Sequence, residues 1–402
     1  MARLHQVHAA ARAQALEWGS PATTKSISAN YPSPTPNRQL NQGKRISVHY
    51  GAVIMSLAQA LNSLPRRRLL DGPTPIRRLH GIENALGSSS NRVQIYAKRD
   101  DLMSLGGGGN KLRKLEFLLG DATAAGADTI IATGGRQSNF ARLAAAAAAK
   151  LGLACELVLS RMVPRGGDEY DRNGNVLLDD LFGARIHDLP AGVDSTHFAQ
   201  ERAEELRVAG HITYVATLGG SSPIGCVGYA DCALEIQTQS NDLDVDFAAI
   251  VVPNGSSGTH AGLAAGYRAL GLDTTRVRSR TVLAPTAGAI AATVEKANSA
   301  LTLLGFEASL GSNDVRVSGD QLGSGYGVST PAMVEAVRLM ARREGLLLDP
   351  VYGGKAFAGL LADISGGQYE AGDNVLFVMT GGSPGLYAYA SDFLGAGHKD
   401  PS

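Results

Sequence analysis

From Met55 onward, short apolar runs alternate with segments whose apolar residues recur at helical spacing. Runs at residues 93–98, 129–133, 155–159, 184–187, 212–216, 248–252, 280–284, 315–318 and 374–379 predict strands. Most show little in/out alternation, as expected of strands covered on both faces. The 3.6-residue period predicts helices over residues 111–125, 139–151, 259–270 and 331–345. An alanine-rich stretch at residues 144–149 lies inside the second of these and predicts a buried helix. Strand and helix in alternation imply an α/β chain with open, twisted parallel sheets and helices on both faces.

Several predicted strand-to-helix junctions are polar and rich in glycine: TGGRQSN at 133–139, LGGSSP at 218–223, PNGSSGT at 253–259 and TGGSP at 380–384. Ligands of open parallel sheets bind at the carboxyl ends of strands, so four such loops suggest a sizeable anionic ligand. In NGSSGT (254–259), unpaired N–H groups at a helix start favour an anion, and glycines let the backbone close on it. An ordinary N-capped turn reads equally well there. The run GGGGNKLRK (106–114) places a lysine at a helix start beside a glycine loop. A buried lysine of lowered pKa is a nucleophile for carbonyl compounds, but the residues alone do not separate Lys111 from Lys114 or from a solvated basic turn.

Composition narrows the field. The 402 residues carry 37 Lys and Arg against 37 Asp and Glu, so nothing marks a surface for nucleic acid or an anionic membrane. No run approaches the roughly 18 apolar residues of a membrane span. Cys155, Cys226 and Cys232 include no CxxC pair, and the nine histidines lack ligand spacing, so no metal site is expected and a reducing, cytoplasmic setting fits. Residues 1–54 differ in composition, being basic and acid-poor, and are expected to be a disordered extension, an upstream start with Met55 as the working initiator, or an organelle transit segment.

In order along the chain, TPI (74–76), KRDD (98–101), GNKLRKLEF (109–117), QSN (137–139), YDRNGN (170–175), GGSSPIG (219–225), GTHAG (258–262), GYG (325–327), DPVYGGK (349–355) and TGGSPG (380–385) resemble the D-cysteine desulfhydrase and 1-aminocyclopropane-1-carboxylate (ACC) deaminase family. This is a branch of the tryptophan-synthase-β-like, fold type II pyridoxal-phosphate enzymes, with L-cysteate sulfo-lyases as relatives. The resemblance runs from about Pro65 to Phe393. It implies pyridoxal 5'-phosphate joined to Lys111, which would later move the substrate α-proton. It implies Asn139 at the ring hydroxyl, Gly255, Ser256, Ser257, Gly258 and Thr259 around the phosphate, and Thr380 at the pyridine nitrogen. Gln137, Ser138 and Asn139 would meet the substrate carboxylate, and Tyr326 and Tyr352 the reacting carbon. His260, next to the phosphate loop, reads as a helix first-turn residue. The implied architecture is a large cofactor domain (55–110 and 215–402), a small α/β domain (111–214), and a homodimer acting on a small amino acid.

Three positions depart from the family pattern. Gly353 replaces the glutamate of ACC deaminases, which predicts a weaker electron sink and favours β-elimination over opening a cyclopropane. Phe140 replaces a histidine. Arg136 replaces an apolar residue and either binds an anionic substrate group such as a sulfonate or pairs with a surface acid. The expected activity is therefore a carbon–sulfur lyase giving pyruvate, ammonia and sulfide or sulfite from D-cysteine or L-cysteate. ACC deamination, β-replacement, racemisation and cofactor binding with little turnover are the alternatives.

Overall fold

The structure, a computed structural model, describes residues 43–90 and 92–394. Contacts divide the chain into Met1–Ile46 and Ser47–Ser402. Residues 1–42 of the expected N-terminal extension lie outside the described residues. Its expected boundary at residue 54 is corrected, because it falls inside the helix Gly43–Ser63. Ile54, Leu57 and Leu61 recur at helical spacing there, and they pack with Leu64, Phe117 and Cys226 in one apolar cluster.

Among the described residues, ten strands form two sheets: β1 Ile76–Arg78, β2 Gln94–Lys98, β3 Thr129–Gly135, β4 Ala154–Ser160, β5 Arg185–Leu189, β6 Thr213–Ala216, β7 Phe247–Asn254, β8 Val277–Thr281, β9 Arg316–Ser318 and β10 Asn374–Val378. One sheet runs β1-β2-β10-β7-β8-β9 and the other β5-β4-β3-β6. Every pairing is parallel except β1 with β2. Every residue of β3 is buried, which explains its continuous apolar run. Two strands differ from expectation. The short β1, sequence IRR, carries too little apolar pattern to be seen. The strand expected at 280–284 lies three residues earlier, because buried Arg280 occupies β8 and is paired with Asp363.

Helix Lys111–Ala124 is fixed by its third residue. Arg113 is buried and grips Asp100 with two bonds, Nε to Oδ2 at 2.9 Å and Nη2 to Oδ1 at 2.8 Å. Its Nη1 donates to Glu235 at 2.8 Å, and the Tyr229 hydroxyl donates to Asp100 at 2.5 Å. With Arg113 held on one side, Lys111 and Lys114, three residues apart, share another face of the helix. No helix among the described residues is long and apolar enough to cross a membrane.

Candidate active site

Two adjoining cavities share Lys111, Asn139, Gly255, Ser256 and Tyr352 in their walls. Their loops follow the carboxyl ends of β3, β7 and β10, where open parallel sheets bind ligands. The first cavity also meets Asn110, Ser257, Gly258, Thr259 and Thr380. The second meets Ser138, Phe140, Met162, Leu218, Leu283 and Tyr326. Eleven expected residues are thus brought together: Lys111, Ser138, Asn139, Gly255, Ser256, Ser257, Gly258, Thr259, Tyr326, Tyr352 and Thr380.

The glycine run ahead of Lys111 is a close-packed turn. A Cβ on Gly108 would stand 2.5 Å from the carbonyl oxygens of both Asp101 and Met103, and its φ is +72°. Gly109 bridges to Gly381, and the Asn110 N–H donates to the Thr380 carbonyl at 3.0 Å. These bonds set Lys111 beside Thr380. Lys114 goes elsewhere, donating to Ser221 Oγ at 2.9 Å and to the Gly219 carbonyl at 3.2 Å. Ser221 in turn shares a 2.7 Å hydroxyl bond with Ser256. Burial holds the Lys111 ammonium well below its usual pKa, and the Lys114 charge pushes it the same way. Burial lowers Lys114 to about 8.

The Gly255–Thr259 loop opens helix Gly258–Ala269, with Ser257 held at a φ of +66°. A Cβ on Gly258 would stand 2.4 Å from Ser221 Oγ and 2.5 Å from Lys114 Nζ. A side chain at Gly258 would have to displace Ser221 and the buried Lys114 ammonium. His260, in the first turn, is wholly buried and bonded through Nδ1 to Ser279 Oγ at 2.8 Å, away from the cavities.

Ser138 caps helix Asn139–Leu151, its Oγ accepting from the Ala141 N–H at 3.1 Å. The hydroxyls of Tyr326 and Tyr352 are 2.5 Å apart. Burial raises the pKa of both, so both stay protonated at neutral pH.

Two expected substrate ligands are corrected. Arg136 does not line either cavity: its Nε meets Asp171 at 2.8 Å and its Nη1 meets Asp188 at 2.5 Å. Its guanidinium is thus spent on two carboxylates. Gln137 is likewise committed, donating to the carbonyls of Tyr170 at 2.6 Å and Asn173 at 2.9 Å, and accepting from the Asn175 N–H at 2.9 Å.

Sequence reasoning missed Asp349 as a site residue. Its carboxylate accepts from the N–H groups of Val351 at 3.0 Å, Tyr352 at 2.8 Å and Gly353 at 2.6 Å, and so shapes the turn that carries Tyr352. Burial raises Asp349 to about 6 against the pull of those three donors. The signal was an Asp-Pro start to a turn. Asn110 and Leu218 lie in glycine-rich segments already marked in the sequence but were given no role there, and Met162 and Leu283 had no distinguishing pattern.

The model of the family described as "Pyridoxal-phosphate dependent enzyme" matches residues 67–381. The chain is 42% identical to the D-cysteine desulfhydrase of Salmonella newport over 332 residues, covering 82% of this chain and 97% of that protein. It is similar to a solved structure described as an ACC deaminase homologue, with 38% identity, a TM-score of 0.74 and coverage of 84% of this chain and 98% of that one. An O-ureido-L-serine synthase, 18% identical with a TM-score of 0.57 and coverage of 85% of this chain and 96% of that one, shares the fold.

Proposed function

The chain belongs to the family of pyridoxal-phosphate dependent enzymes, and we propose that it is a carbon–sulfur lyase converting D-cysteine and water to pyruvate, ammonia and sulfide. The observation that carries this reading is its 42% identity to nearly the whole length of a D-cysteine desulfhydrase. The wall of Phe140, Met162, Leu218 and Leu283 supports it. With Arg136 paired elsewhere, no arginine lines the second cavity to receive a sulfonate, which favours a small uncharged sulfur group over L-cysteate.

The residues present suit pyridoxal phosphate. The cradle at Gly255–Thr259, crowded at Gly258 and backed by buried Lys114, suits a phosphate. Lys111, in the same cavity, suits its aldehyde. Asn139 and Thr380 would meet the ring. When bound, the cofactor supplies a sink for the electrons left at the substrate Cα.

The chain's own groups do the rest. Lys111 Nζ, whose charged form burial disfavours, accepts the α-proton. Ser138 Oγ accepts from Ala141, which leaves its O–H to donate to the substrate carboxylate. Tyr326 and Tyr352 use one hydroxyl hydrogen between them, and the other remains to protonate the departing sulfur. Gly353 offers no acid side chain, in keeping with a thiol leaving group. A homodimer in the cytoplasm, and a division into a large cofactor part and a small part at 111–214, belong to the same proposal.

Pyruvate and sulfide release tests it, with D-cysteine, L-cysteine, L-cysteate and ACC assayed side by side. D-cysteine is expected to turn over fastest, and Lys111→Ala to abolish it. Borohydride reduction should fix the cofactor on the Lys111 peptide in wild type and in Lys114→Ala. Rapid formation of 2-oxobutanoate from ACC, or faster turnover of L-cysteate, would overturn the assignment.

A further inference from the structure

We infer that Arg142 and Asn175 form a positioning relay that fixes which end of the Asn139 carboxamide faces the cavity. The inference rests on the proposed cofactor reading and names residues that neither touch the cavity nor carry an assigned role.

Donor and acceptor chemistry makes the relay unambiguous. Arg142 is fully buried and has only donors. Its Nη1 donates to Asn175 at 2.9 Å, so the atom it meets is the amide oxygen Oδ1. The other end of Asn175 is therefore Nδ2. It meets the Gln137 carbonyl at 3.0 Å, a group that can only accept, and it donates to Asn139 Oδ1 at 3.0 Å. Asn139 thus has its oxygen occupied, and its Nδ2 is the end left for a ligand. Neither amide can be reversed without setting a donor against a donor or an oxygen against an oxygen.

The same guanidinium reaches the loop ahead of Lys111. Arg142 Nη2 donates to the Gly108 carbonyl at 2.7 Å. Gly382 completes the seat, since a Cβ there would stand 2.5 Å from Asn139 Nδ2. One buried arginine therefore ties the lysine-bearing loop to the amide that would donate to the cofactor's ring oxygen. Asn175 lies in the YDRNGN segment, whose backbone Gln137 holds in place.

The test uses Asn175→Asp, which is nearly isosteric and keeps an oxygen for Arg142 but loses the Nδ2 donor. Asn139 would then turn its own Nδ2 toward the new carboxylate and present oxygen to the cavity. Titration of the apoprotein with pyridoxal phosphate is expected to show binding weakened about tenfold or more, the scale of one lost hydrogen bond, and a shifted visible absorption band. In an Asn139→Ala background, Asn175→Asp is expected to cost nothing further, because the relay acts through Asn139. Arg142→Lys, which cannot bridge Gly108 and Asn175 at once, is expected to weaken binding in both backgrounds but less in Asn139→Ala, because its bond to the Gly108 carbonyl does not act through Asn139. Wild-type binding and spectrum in Asn175→Asp, or equal losses in both backgrounds, would overturn the relay while leaving Asn139 its role. Unchanged binding in Asn139→Ala alone would instead remove the reading beneath it, and the relay with it.

Discussion

A single buried histidine makes acid sensitivity a residue-level property. His260 is wholly enclosed, and burial lowers it to about 4, only partly opposed by a backbone hydrogen bond with Val277. The unfolded chain takes up the same proton near pH 6.5. Between those values the unfolded state binds more protons, so stability is full above about pH 6.5 and is lost as pH falls toward 4. From pH 7 to pH 5 the expected loss from this residue is on the order of 2 kcal/mol. Urea midpoints at both pH values should show it in wild type and less of it in His260→Gln; an equal pH response in the two would remove His260 as the cause. Side-chain destinations of this kind are where sequence reasoning was weakest. Local pattern did not separate Lys111 from Lys114; resemblance chose Lys111, and their bonds place one on the cavity and the other on Ser221 and Gly219. Arg136 and Gln137 sit in the right loop, yet their side chains turn to Asp171, Asp188 and the 170–173 carbonyls. Loop position is a backbone property that motif spacing records. The direction of a long polar side chain is set by partners far along the chain.

At the scale of elements, Ser138 carries two duties that one substitution series can separate. As the cap of helix Asn139–Leu151 it satisfies an otherwise unpaired N–H. Replacing a capping serine by alanine costs about 1 kcal/mol, and by glycine only a few tenths. Its proposed contact with a substrate carboxylate needs the hydroxyl itself. Ser138→Ala and Ser138→Gly should therefore differ in denaturation midpoint yet lose D-cysteine turnover to a similar degree. Activity that tracked stability across the pair would mean that Ser138 is a cap and nothing more. Elements were also the level most legible in the sequence. Helix Asn139–Leu151 carries its own start signal in Ser138 and its stop in Gly152, at a φ of +70°. Strand β3, buried throughout, declares itself as an apolar run. β8 was displaced because its burial pattern includes Ser279, Arg280 and Thr281, polar residues that each find a hydrogen-bond partner inside the fold. β1 is an antiparallel edge three residues long, and its pairing with β2 is a fact about the sheet rather than about its own composition.

At the scale of the whole molecule, the cavity joins loops from both sheets. Ser138 and Asn139 follow β3 of the four-stranded sheet, while Gly255–Thr259 and Thr380 follow β7 and β10 of the six-stranded one. Strand order is invisible to local pattern, so this convergence could be reached from sequence only through resemblance. A ligand that contacts both sets of loops binds the folded state and not the unfolded chain, and so raises its stability. At a hundredfold excess over Kd the gain is about 2.7 kcal/mol. The unit Ser47–Ser402 holds roughly 350 residues, for an unfolding entropy of about 0.7 kcal/mol per kelvin. The melting temperature should therefore rise by about 4 °C when the apoprotein is loaded with pyridoxal phosphate at that excess. Lys111→Ala, which keeps the phosphate cradle but has no amine to join the aldehyde, should bind more weakly and gain less at the same cofactor concentration. Calorimetry of both proteins, with and without cofactor, makes the comparison. A full shift in Lys111→Ala would mean that the cradle alone supplies the binding energy, and no shift in wild type would mean that the two sets of loops do not enclose this cofactor at all.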